Sequence, residues 1–548
     1  MCPDFIYNSF LQALNEIGVE KPETKLRFEQ PKQEQFGDFA TSVALILAKE
    51  LKLNPRQLAQ EIVDRLLLDQ NLVEKISIDG PGFINIKLTN YFFATELEKM
   101  FKHDEDYGRS TKGQGQRVNV EYVSANPTGL LHLGHGRNAC IGDSIANLFY
   151  WLGYDVTREY YFNNAGRQMH NLARSIFARY RQLHGDENYP LPEDGYHGDY
   201  IKEIAKEVAD KFGASYSDES EENLDFFKEF GENWCFGKIR ETLSKLNIHH
   251  DVFYNEDSLY SEGKIEEVIN LLRSKELIYE KDGAIWFALT KLGLQEDRVI
   301  IKSTGEPTYR LPDIAYHREK FLRGFDLIVD VLGSDHIATV PDVLAGLGAL
   351  GFDTSRVKVV FHQFVTLMEN GVQVKMSKRS GRSYTLDELI SEVGADVVRF
   401  FFIMRSVSTH LDFDLTLARE QSEKNPVFYL QYAHARICSI FDTAKERGIK
   451  FVENGSTDCL NSLPEIHLIK LQRRFPEVIE ISAERFEPQI LADYLYDLAT
   501  AFHVFYHNCR IIGSEEPVLS ARFKLAKVTQ RILRNGLSIL GVSAPTRM

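Results

Sequence analysis

The chain of 548 residues has only six cysteines (Cys2, Cys140, Cys235, Cys438, Cys459 and Cys509), all far apart and none in a CxxC pair. That spacing argues against a zinc knuckle and against a disulfide framework, and it suits a reducing compartment. No apolar run is long enough to span a bilayer, so no membrane partner is expected. The N-terminus, MCPDFIYNSF, has neither a basic leader nor an apolar signal core, which predicts a cytoplasmic protein. Internal repeats and low-complexity tracts are missing, and the phosphate-loop pattern GxxxxGK[ST] does not occur, which removes a Walker-type ATPase. Cations are in deficit too. With 64 basic against 79 acidic residues the formal charge is −15, unfavourable for a nucleic-acid protein if charge is read as a whole.

Local charge reads differently. Ala521 to Met548 carries Arg522, Lys524, Lys527, Arg531, Arg534 and Arg547 and no acid; Lys375 to Arg382 is a second acid-free basic run. Phosphate binding needs a local footprint of this kind rather than a basic whole. Acid is concentrated elsewhere, notably from Asp218 to Glu232. Hydrophobic content of 43% with 26% charged residues is that of a globular protein, and the length predicts several domains.

Periodicity divides the chain. Residues 1–110 read as a small α+β unit: helices over Asp4–Ile17, Ala40–Leu51 and Pro55–Leu67, then short strands near Ile76–Ile78 and Phe83–Leu88 joined through the turn Asp79-Gly80-Pro81-Gly82. Residues 111–410 alternate strand and helix. Strands are expected at Arg117–Val123, Asp155–Phe162, Leu327–Leu332 and Val357–Leu367, and helices at His135–Leu152, Ala165–Leu183 and Ala338–Leu350, with a charged insertion over about 185–260. That order implies a parallel, doubly wound, Rossmann-like sheet. From 411 to 548 strand signals vanish and a helical bundle is expected.

Two short stretches carry chemistry. His132-Leu133-Gly134-His135 follows the first strand and opens a helix, where residues three apart share a face and free N–H groups favour an anion. Gly134 and Gly136 would let a nucleotide approach the backbone. Lys375-Met376-Ser377-Lys378-Arg379 sits between Gly371 and Gly381 and offers compact charge on flexible stems. The two stretches fit a grip on the phosphates of ATP from two sides. A rival is the loose GxGxx[GA] dinucleotide pattern over Gly134–Ala139, which leaves both histidines and the lysine stretch without a role.

The pair resembles the two signatures of class I aminoacyl-tRNA synthetases, and the surrounding residues are most similar to the arginyl-tRNA synthetase family. Glu121 through His132 matches that family's approach to the histidine motif, and Tyr309-Arg310-Leu311-Pro312-Asp313 matches a second element. The resemblance implies that Glu121, Tyr309 and Asp313 recognise arginine, that Asn126 holds its α-amino end, and that Asp335 and His336 contribute a further contact. Met376, Ser377 and Arg379 would join the glycines in binding ATP. Carboxylates suit a guanidinium, which presents a planar fork of donors. Leu430–Arg436 and Leu533–Met548 resemble the anticodon-binding helical domain, with Arg522, Lys527, Arg531, Arg534 and Met548 as tRNA contacts; the Phe36–Phe39 segment resembles the N-terminal addition that touches the tRNA elbow. Arg382-Ser383-Tyr384 departs from the family, where Asn often follows Ser-Gly.

The implied activity is ATP-dependent ligation of L-arginine to tRNA(Arg) through an arginyl adenylate, with Mg²⁺ on the ATP phosphates, no zinc, activation that waits for tRNA, no editing domain, and a monomeric enzyme. Three alternatives stand beside it: a catalytically silent tRNA-binding synthetase relative, a cysteinyl synthetase, and a pantothenate-synthetase-like ligase. Intact ATP motifs count against the first, cysteine spacing against the second, and the basic helical tail against the third.

Overall fold

The computed structural model describes residues 2–31, 33–374 and 384–548. The N-terminal unit holds an antiparallel sheet of β1 (Phe39–Thr41), β2 (Val73–Asp79) and β3 (Phe83–Leu88) in the order β1-β3-β2. Helices Asp4–Glu16, Val43–Leu51, Pro55–Val63 and Asn90–Lys102 accompany it. Local chemistry sets their ends: Asn54 accepts the N–H groups of Arg56 and Gln57 ahead of Pro55, and Thr89 accepts that of Phe92. The helix expected from Ala40 therefore starts three residues late, because Phe39–Thr41 pairs with Ile84–Ile86 instead.

The central unit is built on β4 (Arg117–Glu121), β5 (Asp155–Phe162) and β6 (Val252–Asn255), then a small antiparallel sheet of β7 (Ile278–Lys281), β8 (Ala284–Phe287) and β9 (Arg298–Ile301), and then β10 (Leu327–Gly333) and β11 (Val357–His362). The five-stranded sheet runs β11-β10-β4-β5-β6 with every pairing parallel. β5 and β6 extend from one side of β4 and β10 and β11 from the other. Winding thus reverses between β4 and β10, the place where doubly wound sheets open a ligand crevice at their carboxyl ends.

Three expectations are corrected here. Val252–Asn255, read as part of the insertion, is the edge strand of the core sheet, paired with Glu159–Phe162. The stretch Val357–Leu367 is two strands, because β12 (Val365–Glu369) leaves for a sheet with β13 (Val372–Gln373) and β14 (Leu411–Asp414). β14 also places a strand beyond Val407, where none was expected. The insertion proper is helical, over Asp199–Phe212 and Glu221–Lys245 packed on Gly166–Leu183, with its own core around Met169, Ile176, Ile204 and Phe227.

Five long helices form the C-terminal unit: Pro426–Glu446, Leu463–Arg473, Phe475–Glu484, Pro488–Asn508 and Val518–Ile539. They dock on the N-terminal unit as well as on the sheet. Asp38–Lys470 (2.5 Å), Glu96–Arg473 (2.9 Å) and Glu98–Lys524 (2.6 Å) join the two ends of the chain, and the Lys524 side chain is fully buried there. No helix among the described residues is long and apolar enough to cross a membrane.

Candidate active site

β4 ends in an unusual turn. Val123 and Ser124 both adopt left-handed backbone (φ 70° and 44°), uncommon for any L-residue and a true outlier for a β-branched one. Asn138 supports the turn by accepting the Val123 N–H (2.6 Å) while donating to the Val331 carbonyl on β10 (2.7 Å). Ser124 donates to Glu121 (2.9 Å) and accepts the Tyr161 N–H (3.2 Å). The strained turn aims the chain across the crevice toward the helix Leu133–Trp151.

His132 caps that helix. Its Nδ1 accepts the Gly134 N–H (3.1 Å), and the His132 N–H in turn donates to Nδ1 of His135 (3.3 Å). The two rings stack with centroids 3.7 Å apart. Each ring uses Nδ1 as an acceptor, so each neutral imidazole carries its proton on Nε2. Burial, helped by His132 and His362, pushes the His135 imidazole down to about 3, and burial also lowers His132. Both rings are therefore neutral at physiological pH, each with an Nε2–H donor for an anion at the positive end of the helix dipole.

The two glycines of the motif differ in their surroundings. A Cβ on Gly134 would meet the His132 ring at 3.1 Å, but one on Gly136 would strike Leu386 (2.6 Å) and Phe402 (2.8 Å). Gly136 is thus required by close packing of the helices after the lysine motif. Lys375, Met376, Ser377, Lys378 and Arg379 lie outside the described residues. The chain that follows them returns to the histidines: Thr385 bridges to His132, and the Leu386 N–H donates to the Leu131 carbonyl (2.9 Å).

Next to this grip lies a carboxylate cluster. Glu121, at the end of β4, pairs with buried Lys320 (2.5 Å), which also reaches Asp330 (2.6 Å); His317 joins Asp330 from the same helix (2.8 Å). Glu121 is thus already neutralised by a lysine. Asp313 differs. No side chain among the described residues hydrogen-bonds its carboxyl, and burial, with Glu121, Glu256 and Asp330 around it and His317 opposing, pushes it up to about 7. Glu256, which sequence reasoning missed, accepts hydroxyl donors from Tyr161 (2.7 Å) and Tyr260 (3.4 Å) and has no basic partner among the described residues. Its sequence neighbourhood is an ordinary acidic one, so only the fold distinguishes it. Asp313, with no side-chain partner among the described residues, and Glu256, with hydroxyl donors alone there, are therefore two carboxylates that a planar cation would satisfy.

Tyr309 stands 79% exposed one turn before Asp313. Asn126 is engaged with Gln168 (2.9 Å) and the Asn163 N–H (3.0 Å) on the β5 side of the crevice. Asp335 and His336 are exposed on the turn after β10, 3.7 Å apart, and electrostatically in reach of His362 at the end of β11. Asn126, Asp335 and His336 follow the carboxyl ends of β4 and β10. Among the described residues no group of three or more His, Cys, Asp or Glu could hold a metal ion.

The basic C-terminal run is brought elsewhere. Arg522 pairs with Glu465 (2.7 Å), and buried Arg531 donates to the Met100 carbonyl (3.0 Å) and Glu105 (3.3 Å). Arg531 thus ties the C-terminal unit to the N-terminal one, while Arg522 is held within the C-terminal unit itself, so both guanidiniums are already engaged. Arg534 is half-exposed with Glu105 at 2.7 Å, Lys527 is half-buried beside Gln530, and Met548 is exposed.

One consequence is measurable. A cation binds Asp313 in its ionised form, and a carboxyl titrating near 7 is largely protonated at pH 6 and ionised at pH 8. Affinity for a guanidinium ligand should rise about tenfold over that interval and then level off, the linkage expected for one proton. Calorimetric titration at pH 6, 7 and 8 measures it; affinity that is flat or falls with pH would show that Asp313 does not meet the cation.

Comparison with known proteins agrees along the whole length. Residues 4–88 match the family described as arginyl tRNA synthetase N terminal domain, 96–399 the class I (R) tRNA synthetase catalytic domain, and 430–548 the DALR anticodon binding domain. The arginine–tRNA ligase of Salinibacter ruber is 47% identical over 564 residues, covering 100% of both chains. That of Desulfotalea psychrophila is 50% identical over 96% of this chain and 95% of its own. A crystal structure from Campylobacter jejuni, assigned as an arginyl-tRNA synthetase, superposes with a TM-score of 0.78 at 32% identity over 84% of this chain and 100% of that one.

Proposed function

The chain belongs to the arginyl-tRNA synthetases and ligates arginine to tRNA with ATP as a class I enzyme, and on that premise we propose how its own residues divide the work. The triphosphate of ATP lies over the start of the Leu133–Trp151 helix, where the Nε2–H donors of His132 and His135 meet its oxygens. The observation that carries this reading is the stacked, neutral imidazole pair with both Nδ1 atoms occupied. Neutral donors bind phosphate without an ionisation step and strengthen as charge builds on the departing pyrophosphate. ATP arrives as its Mg²⁺ complex, and the ion supplies charge neutralisation on the phosphates. No zinc takes part.

Arginine places its guanidinium between Asp313 and Glu256, with Tyr309 at the mouth, while Glu121, Asn126, Asp335 and His336 shape the remainder of the pocket. Its carboxylate oxygen attacks the α-phosphorus, the α–β anhydride breaks, and pyrophosphate leaves. A ribose hydroxyl of the terminal tRNA adenosine then attacks the carbonyl carbon of the adenylate and releases AMP. No side chain acts as nucleophile; positioning and charge stabilisation carry the rate. Lysine would leave both carboxylates with unmet acceptors, which accounts for discrimination without editing.

To Lys375 and Lys378, with Met376, Ser377 and Arg379, we assign the second half of the grip on ATP. The test is Lys378→Ala in pyrophosphate exchange with arginine and tRNA. Exchange should slow by about 10²-fold with tRNA affinity nearly intact, and unchanged turnover would take the lysine stretch out of the mechanism. We further propose that residues 1–110 meet the tRNA elbow, that 111–410 perform the chemistry, and that 411–548 read the anticodon, with Lys527, Arg534 and Met548 on the tRNA-facing surface. The enzyme works as a cytoplasmic monomer, a reading supported by a site built wholly within one chain and by six free cysteines.

A further inference from the structure

The histidine-bearing helix does more than present His132 and His135. Two turns beyond His135 it carries Asp143, nearly buried, and Arg399 donates to that carboxylate through Nη2 (2.5 Å). Arg399 lies on the helix Ala395–Ile403, close after the lysine motif in the chain, and its side chain is 1% exposed. Its other nitrogens go to main chain: Nε to the carbonyl of Leu540 (3.0 Å), at the end of the last C-terminal helix, and Nη1 to the carbonyl of Leu246 (2.6 Å), at the end of the second insertion helix. One guanidinium therefore binds the ATP-side helix, the insertion and the C-terminal unit at once.

The surroundings are shaped for it. Gly541 has left-handed backbone (φ 69°), and a Cβ there would fall 2.0 Å from Arg399 Nη2. Asn147, one turn after Asp143, adds a parallel hydrogen bond to the Ile539 carbonyl (3.1 Å). A second cation on the same helix runs to the same unit: buried Arg137 donates to the carbonyls of Gln363 (2.8 Å) and Ser406 (3.0 Å), and Ser406 donates to Glu487 (2.8 Å). The remaining charged groups facing the Asp143–Arg399 pair are few, with Arg158 at 3.9 Å from Asp143.

We propose that Arg399 is a positioning residue for arginine activation, a clamp through which the placement of the C-terminal helical unit sets the placement of His132 and His135. The inference rests on the reading of those histidines as phosphate donors. A fork of donors with three separated acceptors transmits displacement of any one element to the others, because none can move without leaving a buried polar group unpaired. tRNA held by the C-terminal unit thereby acts on the histidine helix without touching it.

The test uses the full-length enzyme in arginine-dependent pyrophosphate exchange with total tRNA, with rates normalised to active sites. Arg399→Lys keeps a cation for Asp143 but cannot reach both carbonyls. Its kcat should fall about tenfold with KM for tRNA almost unchanged, the size of a typical coupling between sites. A purely structural residue would lower the melting temperature and the active fraction but leave kcat per site intact, and that result overturns the proposal. Should Arg399→Lys fail to fold, Asn147→Ala carries the same test with an expected decrease of about threefold; a folded Asn147→Ala enzyme with normal kcat overturns it equally. His135→Asn separates the two readings. If it silences exchange while the clamp variants do not, only the clamp falls; if it leaves exchange intact, the phosphate reading falls first.

Discussion

Replacing His135 with Asn is expected to lower the rate of adenylate formation by about 10²–10³-fold, the loss that follows removal of one preorganised donor from a developing negative charge. KM for arginine should change little, because the imidazole faces phosphate rather than the guanidinium pocket. The effect should also be nearly independent of pH between 6 and 8. His135 is held near 3 by burial, so its protonation state does not change across that range. A variant whose loss tracked a titration near pH 6.5 would contradict the neutral-donor assignment. Pre-steady-state quench of arginyl adenylate, with saturating ATP and tRNA, gives the rate directly.

The second large effect concerns selectivity. Asp313→Asn keeps the shape of the pocket and removes one charge, and binding of arginine should weaken by about 1.5–3 kcal/mol, the range for a hydrogen bond to a charged group. ATP binding should be unaffected. The pH dependence of arginine affinity described above should disappear in this variant, because the group that titrates is gone. Arginine affinity equal to that of the parent, or a pH slope that persists, would locate the cation elsewhere, with Glu256 the next carboxylate to replace.

Much of the site could be read in the chain because it depends on short-range spacing. Two histidines three apart at a helix start must share a face, and they stack. The alternation of strand and helix foretold a parallel sheet with the motif at its carboxyl end. What stayed hidden depends on partners distant in sequence. Glu256 becomes a pocket residue only when β6, itself an inconspicuous four-residue edge strand, is laid beside β5. Arg522 and Arg531 look like a phosphate footprint because nothing near them in sequence is acidic, yet Glu465 and Glu105 arrive from elsewhere to neutralise them. Gly136 suggests room for a ligand, and only the approach of Leu386 and Phe402 shows what occupies that room.

The docking of the Asn90–Lys102 helix on Val518–Ile539 has a consequence for the birth of the molecule. Glu98 and Glu105 emerge from the ribosome more than four hundred residues ahead of Lys524 and Arg531, the cations that complete them. The N-terminal unit can assemble its own sheet early, but its acidic flank stays solvated until the helix Val518–Ile539 has been made. Docking of the two units is then governed by contacts of great sequence separation, with the helix Val518–Ile539 as the latch that brings them together.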